Sequence, residues 1–227
     1  MDVGISGRPD TCEDLEKSDY SFAIFDCNVL EEENEETFPY LCDKIREYKK
    51  KPLFWKFGKN DITEYDEDGG YLKDYFINLF FRIDVLGGEY VIIKHSPETM
   101  KKNPQKYSEC LLGISALAIS YGLEIVLLFE GGDQEILTEY DKAKLFAEEH
   151  PFLRYGFDMS SVTDIQDFFD CISDTDNVLY YNMDINQNSE TKLKVLTDIL
   201  ADTDTYLSLD NIKSKSELPP KPRLRNF

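Results

Sequence analysis

Residues 75–94 read YFINLFFRIDVLGGEYVIIK. The odd positions Tyr75, Ile77, Leu79, Phe81, Ile83 and Val85 are apolar, and the even ones include Asn78, Arg82 and Asp84. Alternation with a period of two marks a half-buried strand. Gly87 and Gly88 follow, then a second apolar run, EYVIIKH. Two strands around a Gly-Gly turn read as a β-hairpin. A tight hairpin joins antiparallel strands, so this stretch commits part of any sheet to antiparallel pairing.

The rest of the chain adds elements around that hairpin. YSFAIFD at 20–26 and LFWKF at 53–57 read as strands, and between them 37–50 reads as a helix with Leu41, Ile45 and Tyr48 on one face. Ser96-Pro97-Glu98 has the cap, proline and acid of a helix start. Asn103-Pro104 restarts the helix, which runs to about Tyr121. Strand 123–129 and helix 133–149 come next. Thr163 and Gln166 form a capping box for a short helix carrying Phe168 and Phe169, and NVLYYNMD at 177–184 is a further strand before a last helix. The expected class is α+β, with mixed α/β as the variant: one mixed sheet, an antiparallel Gly-Gly hairpin, and helices packed on it. Residues 1–19 read as a flexible acidic arm, 20–212 as a single globular domain and 213–227 as a basic, proline-rich tail. No internal repeat is visible.

The chain has 227 residues, 45 Asp and Glu against 25 Lys and Arg, and a net charge of −20. Nucleic-acid binding needs a basic face to displace counterions from phosphates. An anionic bilayer surface repels such a chain for the same reason. The total therefore points away from nucleic acid and membrane and toward a basic protein partner, whose encounter it accelerates. Residues 110–129, CLLGISALAISYGLEIVLLF, are long enough to span a bilayer. Gly122 divides them into a helix and a buried strand, and no Lys or Arg cluster follows closely. Five widely spaced cysteines without a C-x-x-C suit reduced thiols in a cytoplasm. His95 and His150 stand alone, which leaves a zinc site or a histidine-dependent nucleophile without support.

FAIFDCNVL at 22–30 puts Asp26 and Asn28 at the end of a strand. The stretch resembles the opening motif of PIN-domain nucleases, in which a strand ends in Asp, then a small residue, then Asn-Val-Leu. That resemblance implies Asp26 as a ligand to Mg²⁺ or Mn²⁺, activating water for phosphodiester cleavage. It covers nine residues well, and no aspartate heads the later segment LLGISALAISYGLEIVLLF. It also resembles the D-x-D start of haloacid dehalogenase-type phosphatases, with Asn28 in place of the second aspartate. The competing reading of Asp26 is a turn former.

No Walker loop, G-x-G-x-x-G, G-x-S-x-G or H-E-x-x-H occurs. The expected function is accordingly an acidic cytoplasmic interaction module, of inhibitor or immunity type, with no cofactor, no catalytic residue and no metal. Its docking face is formed by Glu31, Glu32, Glu33, Glu35 and Glu36 together with Asp61, Glu64, Asp66 and Glu67. The alternative is a divergent PIN-like nuclease using Asp26.

Overall fold

The structure, a computed structural model, describes residues 1–6, 21–47, 50–58, 62–65, 71–147, 153–172, 178–184 and 189–210. Eight strands lie in chain order around a closed ring: β1 (Asp2–Ser6), β2 (Phe22–Asp26), β3 (Lys51–Lys56), β4 (Tyr90–Lys94), β5 (Glu124–Phe129), β6 (Leu153–Asp158), β7 (Val178–Asp184) and β8 (Tyr206–Asp210). Every neighbouring pair is parallel, and β1 pairs with β8 to close the ring. Helices α1 (Asn28–Glu31) and α2 (Phe38–Glu47) follow β2, and α3 (Tyr71–Val85) follows β3. Helices α4 (Pro97–Lys102) and α5 (Pro104–Ser120) follow β4. Then α6 (Asp133–Ala147), α7 (Ile165–Cys171) and α8 (Ser189–Leu200) follow β5, β6 and β7. This is the TIM (β/α)₈ barrel.

The expected mixed sheet with an antiparallel hairpin is therefore wrong, and the error lies in 75–85. That stretch is helix α3, and its buried residues are Phe76, Leu79, Phe80 and Ile83. They fall at i, i+3, i+4 and i+7, the stripe of a helix packed on one side. The apolar odd positions are not one face: Phe81 is 53% exposed and Val85 38%. Gly87, at φ +78°, ends the helix in the left-handed region, where glycine is favoured. It is a helix stop, and β4 pairs with β3 and β5 instead of with a hairpin partner. Gly122, at φ +70°, ends α5 in the same way, and Leu123 N–H donates back to Ala118 O at 3.0 Å.

Other starts and stops follow local chemistry. Ser96 caps α4 by accepting from Thr99 N–H, and Asn103 caps α5 by accepting from Lys106 N–H. At α7 the expected Thr163/Gln166 box does not form. Asp164 is the cap, accepting from Asp167 N–H, while Thr163 donates from both its amide and its hydroxyl to Asp133. Asp2–Ser6, within the stretch read as an arm, is the strand that closes the barrel. Residues 7–20 and the tail 213–227 lie outside the described residues.

Side chains alternate along each strand, so one parity faces inward. Two separate apolar clusters result. The even-numbered Phe22, Ile24, Phe54, Ile92, Val126, Leu128 and Tyr180, with Tyr90 and Tyr206, fill the barrel interior. The odd-numbered Phe25, Trp55, Val91, Ile93, Leu127, Phe157 and Tyr181 lie on the outer face against the helices. Inside, the Phe54 ring sits 4.7 Å from Tyr90 and 4.9 Å from Tyr180, centroid to centroid. Room for these rings comes from inward glycines: a Cβ on Gly4 would lie 2.2 Å from the Phe22 ring. The apolar plug closes the lower barrel and leaves polar residues above it, toward the C-terminal strand ends.

Candidate active site

The inward parity continues to the C-terminal end of each strand. There it carries Asp26 on β2, Lys56 on β3, Lys94 on β4, Asp158 on β6, Asn182 and Asp184 on β7, and Ser208 and Asp210 on β8, with Glu130 just past β5. Active sites of TIM-barrel enzymes sit at this face, built from strand ends and the loops that follow.

Lys56 organises the cluster. Its Nζ reaches across the barrel to Asp210 Oδ2 at 2.7 Å and to Asn182 Oδ1 at 3.3 Å. β3 is not a neighbour of β7 or β8 in the ring, so the amine bridges the interior. Asn182 Nδ2 donates to Asp158 Oδ2 at 3.1 Å, which fixes its amide with the oxygen toward the lysine. Ser208 Oγ also donates to that oxygen, and the Tyr180 hydroxyl meets Ser208 from below. Asp158 Oδ1 accepts from Ser160 N–H at 2.9 Å, and Ser160 Oγ accepts from Asp184 N–H at 2.8 Å. Asp210 Oδ1 is buried and, among the described residues, has no hydrogen-bond partner. The side chains of Lys56 and Asp210 each keep 23% exposure.

The electrostatics follow from these contacts. Burial alone pulls the Lys56 amine down, but the Tyr180 hydroxyl and the Asp210 and Asp158 carboxylates outweigh it and hold its pKa above the ordinary lysine value. The Tyr180 phenol is pushed up to about 12, chiefly by burial, with Lys56 opposing. At neutral pH the centre is thus an ammonium beside a neutral phenol. An ammonium has three N–H donors. Among the described residues, two are taken by Asp210 and Asn182, which leaves a third for a ligand oxygen. Nearby, Lys94 pairs with Glu130 at the mouth.

Asp26 lies at this mouth as the register partner of Lys56. Its Oδ1 accepts from Asn28 N–H at 2.8 Å, an Asx turn that starts α1. His95, one residue past β4, belongs to the outer face. Its Nδ1 lies 2.9 Å from the Tyr107 hydroxyl and its Nε2 3.3 Å from Glu139 Oε2. Burial lowers its pKa against the opposing pull of Glu139, which favours the neutral ring. His150 lies outside the described residues.

Of the acids expected to form a docking face, only the side chains of Glu31, Glu32, Glu33, Glu35 and Glu36 fall within the described residues. Glu31 accepts from the Tyr75 hydroxyl, Glu32, Glu35 and Glu36 are exposed, and Glu33 is half-buried. Its main-chain oxygen accepts from Arg82 at 2.7 Å. Glu64 belongs to a 3-10 turn, Ile62–Tyr65, and its side chain is outside the described residues, as are Asp61, Asp66 and Glu67.

No family model and no curated protein matches this sequence. Solved structures do. The barrel is similar to 3-keto-D-glucoside 4-epimerase, YcjR, from E. coli, with a TM-score of 0.70 and 11% identity over 96% of this chain and 95% of that one. It is similar to D-psicose 3-epimerase from Clostridium cellulolyticum H10, with a TM-score of 0.69 and 11% identity over 92% of this chain and 84% of that one. The IOLI protein, solved with a binding zinc atom, has a TM-score of 0.61 and 18% identity over 92% of this chain and 88% of that one. At these identities the likeness establishes the architecture.

The functional expectations change with that architecture. A closed parallel barrel similar to epimerases replaces the inhibitor or immunity module, its basic protein partner and the PIN-like nuclease alternative. Among the described residues, no helix is long and apolar enough to cross a membrane. The residues here do not fit the zinc of the IOLI protein. Zinc sites draw on Cys sulfur, His nitrogen and Asp or Glu oxygen, whereas the oxygens that converge here already close on the Lys56 ammonium. Among the described residues, no three His, Cys, Asp or Glu side chains are placed to hold a metal ion.

Of the cluster, sequence reading singled out Asp26 alone. Lys56, Asp158, Asn182, Ser208 and Asp210 were missed because no two of them are close in sequence outside their own strand. One signal does mark the ring. Seven apolar runs end in a charged residue, at 26, 56, 94, 130, 158, 184 and 210.

Proposed function

We propose that this chain is an enzyme acting at the C-terminal mouth of its barrel on a small hydroxycarbonyl compound of the sugar type, neutral or cationic, with the Lys56 ammonium as a fixed electrophile. The observation that carries the reading is the amine held across the barrel between Asp210 and Asn182, with no third partner among the described residues. Fixed positive charge aimed at a developing oxyanion is among the largest catalytic terms. A carbonyl oxygen on Lys56 makes the adjacent C–H acidic. A mouth carboxylate removes that proton, the electron pair moves onto the oxygen beside Lys56, and return of a proton to the carbon completes an epimerisation or isomerisation. Asp26, beside Lys56 in register, is the proposed base; among the described residues only its Oδ1 is engaged. The epimerase activities of the similar barrels support this class of substrate. Lysines 56 and 94 are each paired among surplus carboxylates, which disfavours phosphorylated sugars. The free cysteines Cys27, Cys42 and Cys171 support a reducing, cytoplasmic setting.

The test is exchange of substrate C–H for solvent deuterium, followed by NMR over a panel of ketoses, aldoses, aminosugars and sugar phosphates. The expected result is exchange with a neutral or amino sugar, reduced about 10²-fold or more in Lys56→Met and likewise in Asp26→Asn, with no exchange on phosphates. No exchange with any member, or exchange untouched by both substitutions in folded protein, overturns the reading.

A further inference from the structure

Lys56 Nζ lies among side-chain oxygens of the kind that bind hard cations. Around it are Asp210 Oδ2 at 2.7 Å and Asn182 Oδ1 at 3.3 Å, and Asp158 is held one hydrogen bond away through Asn182. The second oxygen of Asp210 is buried and has no partner among the described residues. Carboxylate and amide oxygens are the ligands of Mg²⁺, Mn²⁺ and Ca²⁺. A lysine tip brings one positive charge to such a shell, on a stem anchored in β3. A divalent ion would have to enter beside that charge and displace hydrogen bonds already made.

We propose that the Lys56 ammonium is a built-in substitute for a divalent cation at the mouth of this barrel, so that the wild-type chain takes up no metal there, and that removing the amine converts Asp158, Asn182 and Asp210 into a divalent-cation site. The contrast is with the similar barrel solved with zinc. Here the disagreement between donor set and metal is resolved by the protein's own charge. The inference concerns the same side chains as the proposed active site. Its test reads binding rather than turnover, so failure of either leaves the other standing.

The experiment compares wild type, Lys56→Ala and Lys56→Ala/Asp210→Asn after dialysis against chelator. Mn²⁺ binding is followed by calorimetry and by the Mn²⁺ electron paramagnetic resonance signal, and melting temperature is recorded with Mg²⁺, Mn²⁺ and Ca²⁺. The expected result has three parts: no specific site in wild type, one site per chain in Lys56→Ala at least about tenfold tighter than any wild-type binding, and loss of that site in the double variant. The melting temperature of Lys56→Ala alone rises with Mn²⁺. If Lys56→Ala does not fold, Lys56→Gln, which keeps a polar side chain there, is read the same way. A specific site in wild type that Asp210→Asn abolishes would overturn the proposal. So would a folded lysine variant binding Mn²⁺ no better than wild type.

Discussion

His95 shows how one residue can look catalytic and serve the core. It is 5% exposed, wedged between Phe129 and Tyr107, with both ring nitrogens engaged. Its folded pKa is depressed, so its neutral form is stabilising. That contribution is fully present above the unfolded histidine value of about 6.5 and is lost as pH falls below it toward the folded value. Glu139, whose pKa is lowered by Lys142 and His95 against the opposing effect of burial, loses its contribution at lower pH still, through its own folded pKa. Unfolding free energy should therefore fall between pH 7 and pH 5. His95→Gln should flatten that slope while lowering stability at pH 7, as urea titrations at the two pH values would register. An unchanged slope would place the pH sensitivity elsewhere. His95 also marks a limit of sequence reading. Lys94 and His95 are adjacent, yet strand alternation sends one into the mouth and the other into the outer core. Knowing which is which requires knowing that both faces of the strand are buried.

At the scale of elements, most of the parallel strands were legible, because FAIFD, VIIK, VLLF and YYNM are short apolar runs bounded by turn chemistry. The strands that escaped were β1, β6 and β8. DVGIS and LRYGFD each carry a glycine that reads as a breaker. In the barrel those glycines are required space: Gly4 faces the Phe22 ring, and a Cβ on Gly156 would lie 3.0 Å from Tyr180. The costliest misreading was α3, whose apolar residues satisfy both periods at once. Burial separates the two readings. A strand puts Leu79 and Phe81 on one face and Phe80 on the other, whereas the helix buries Phe80 and exposes Phe81. Phe80→Ala should cost about 3–5 kcal/mol in a denaturant titration. Phe81→Ala should stay within about 0.5 kcal/mol. Equal losses at the two positions would argue against the helix.

For the whole molecule, total charge was the most conspicuous feature and the least informative about function. A net −20 says nothing of topology. In the fold, the groups that converge at the mouth are five carboxylates and two lysines, both lysines paired. The apolar run ending in a charge, found at seven of the eight strands, is the trace of the parallel ring, and it went unread because unequal loops separate its copies. Closure itself rests on long-range pairings that no local pattern encodes, such as β1 with β8. The Lys56–Asp210 bridge is the polar counterpart of that closure, joining β3 to β8 across the interior. A double-mutant cycle in urea unfolding tests it most directly, with Lys56→Met, Asp210→Asn and the pair. The expected coupling energy is about 1–3 kcal/mol, each single substitution being costlier than its share of the double. Additivity within about 0.5 kcal/mol would contradict it, because the two side chains would then not meet at the centre of the barrel.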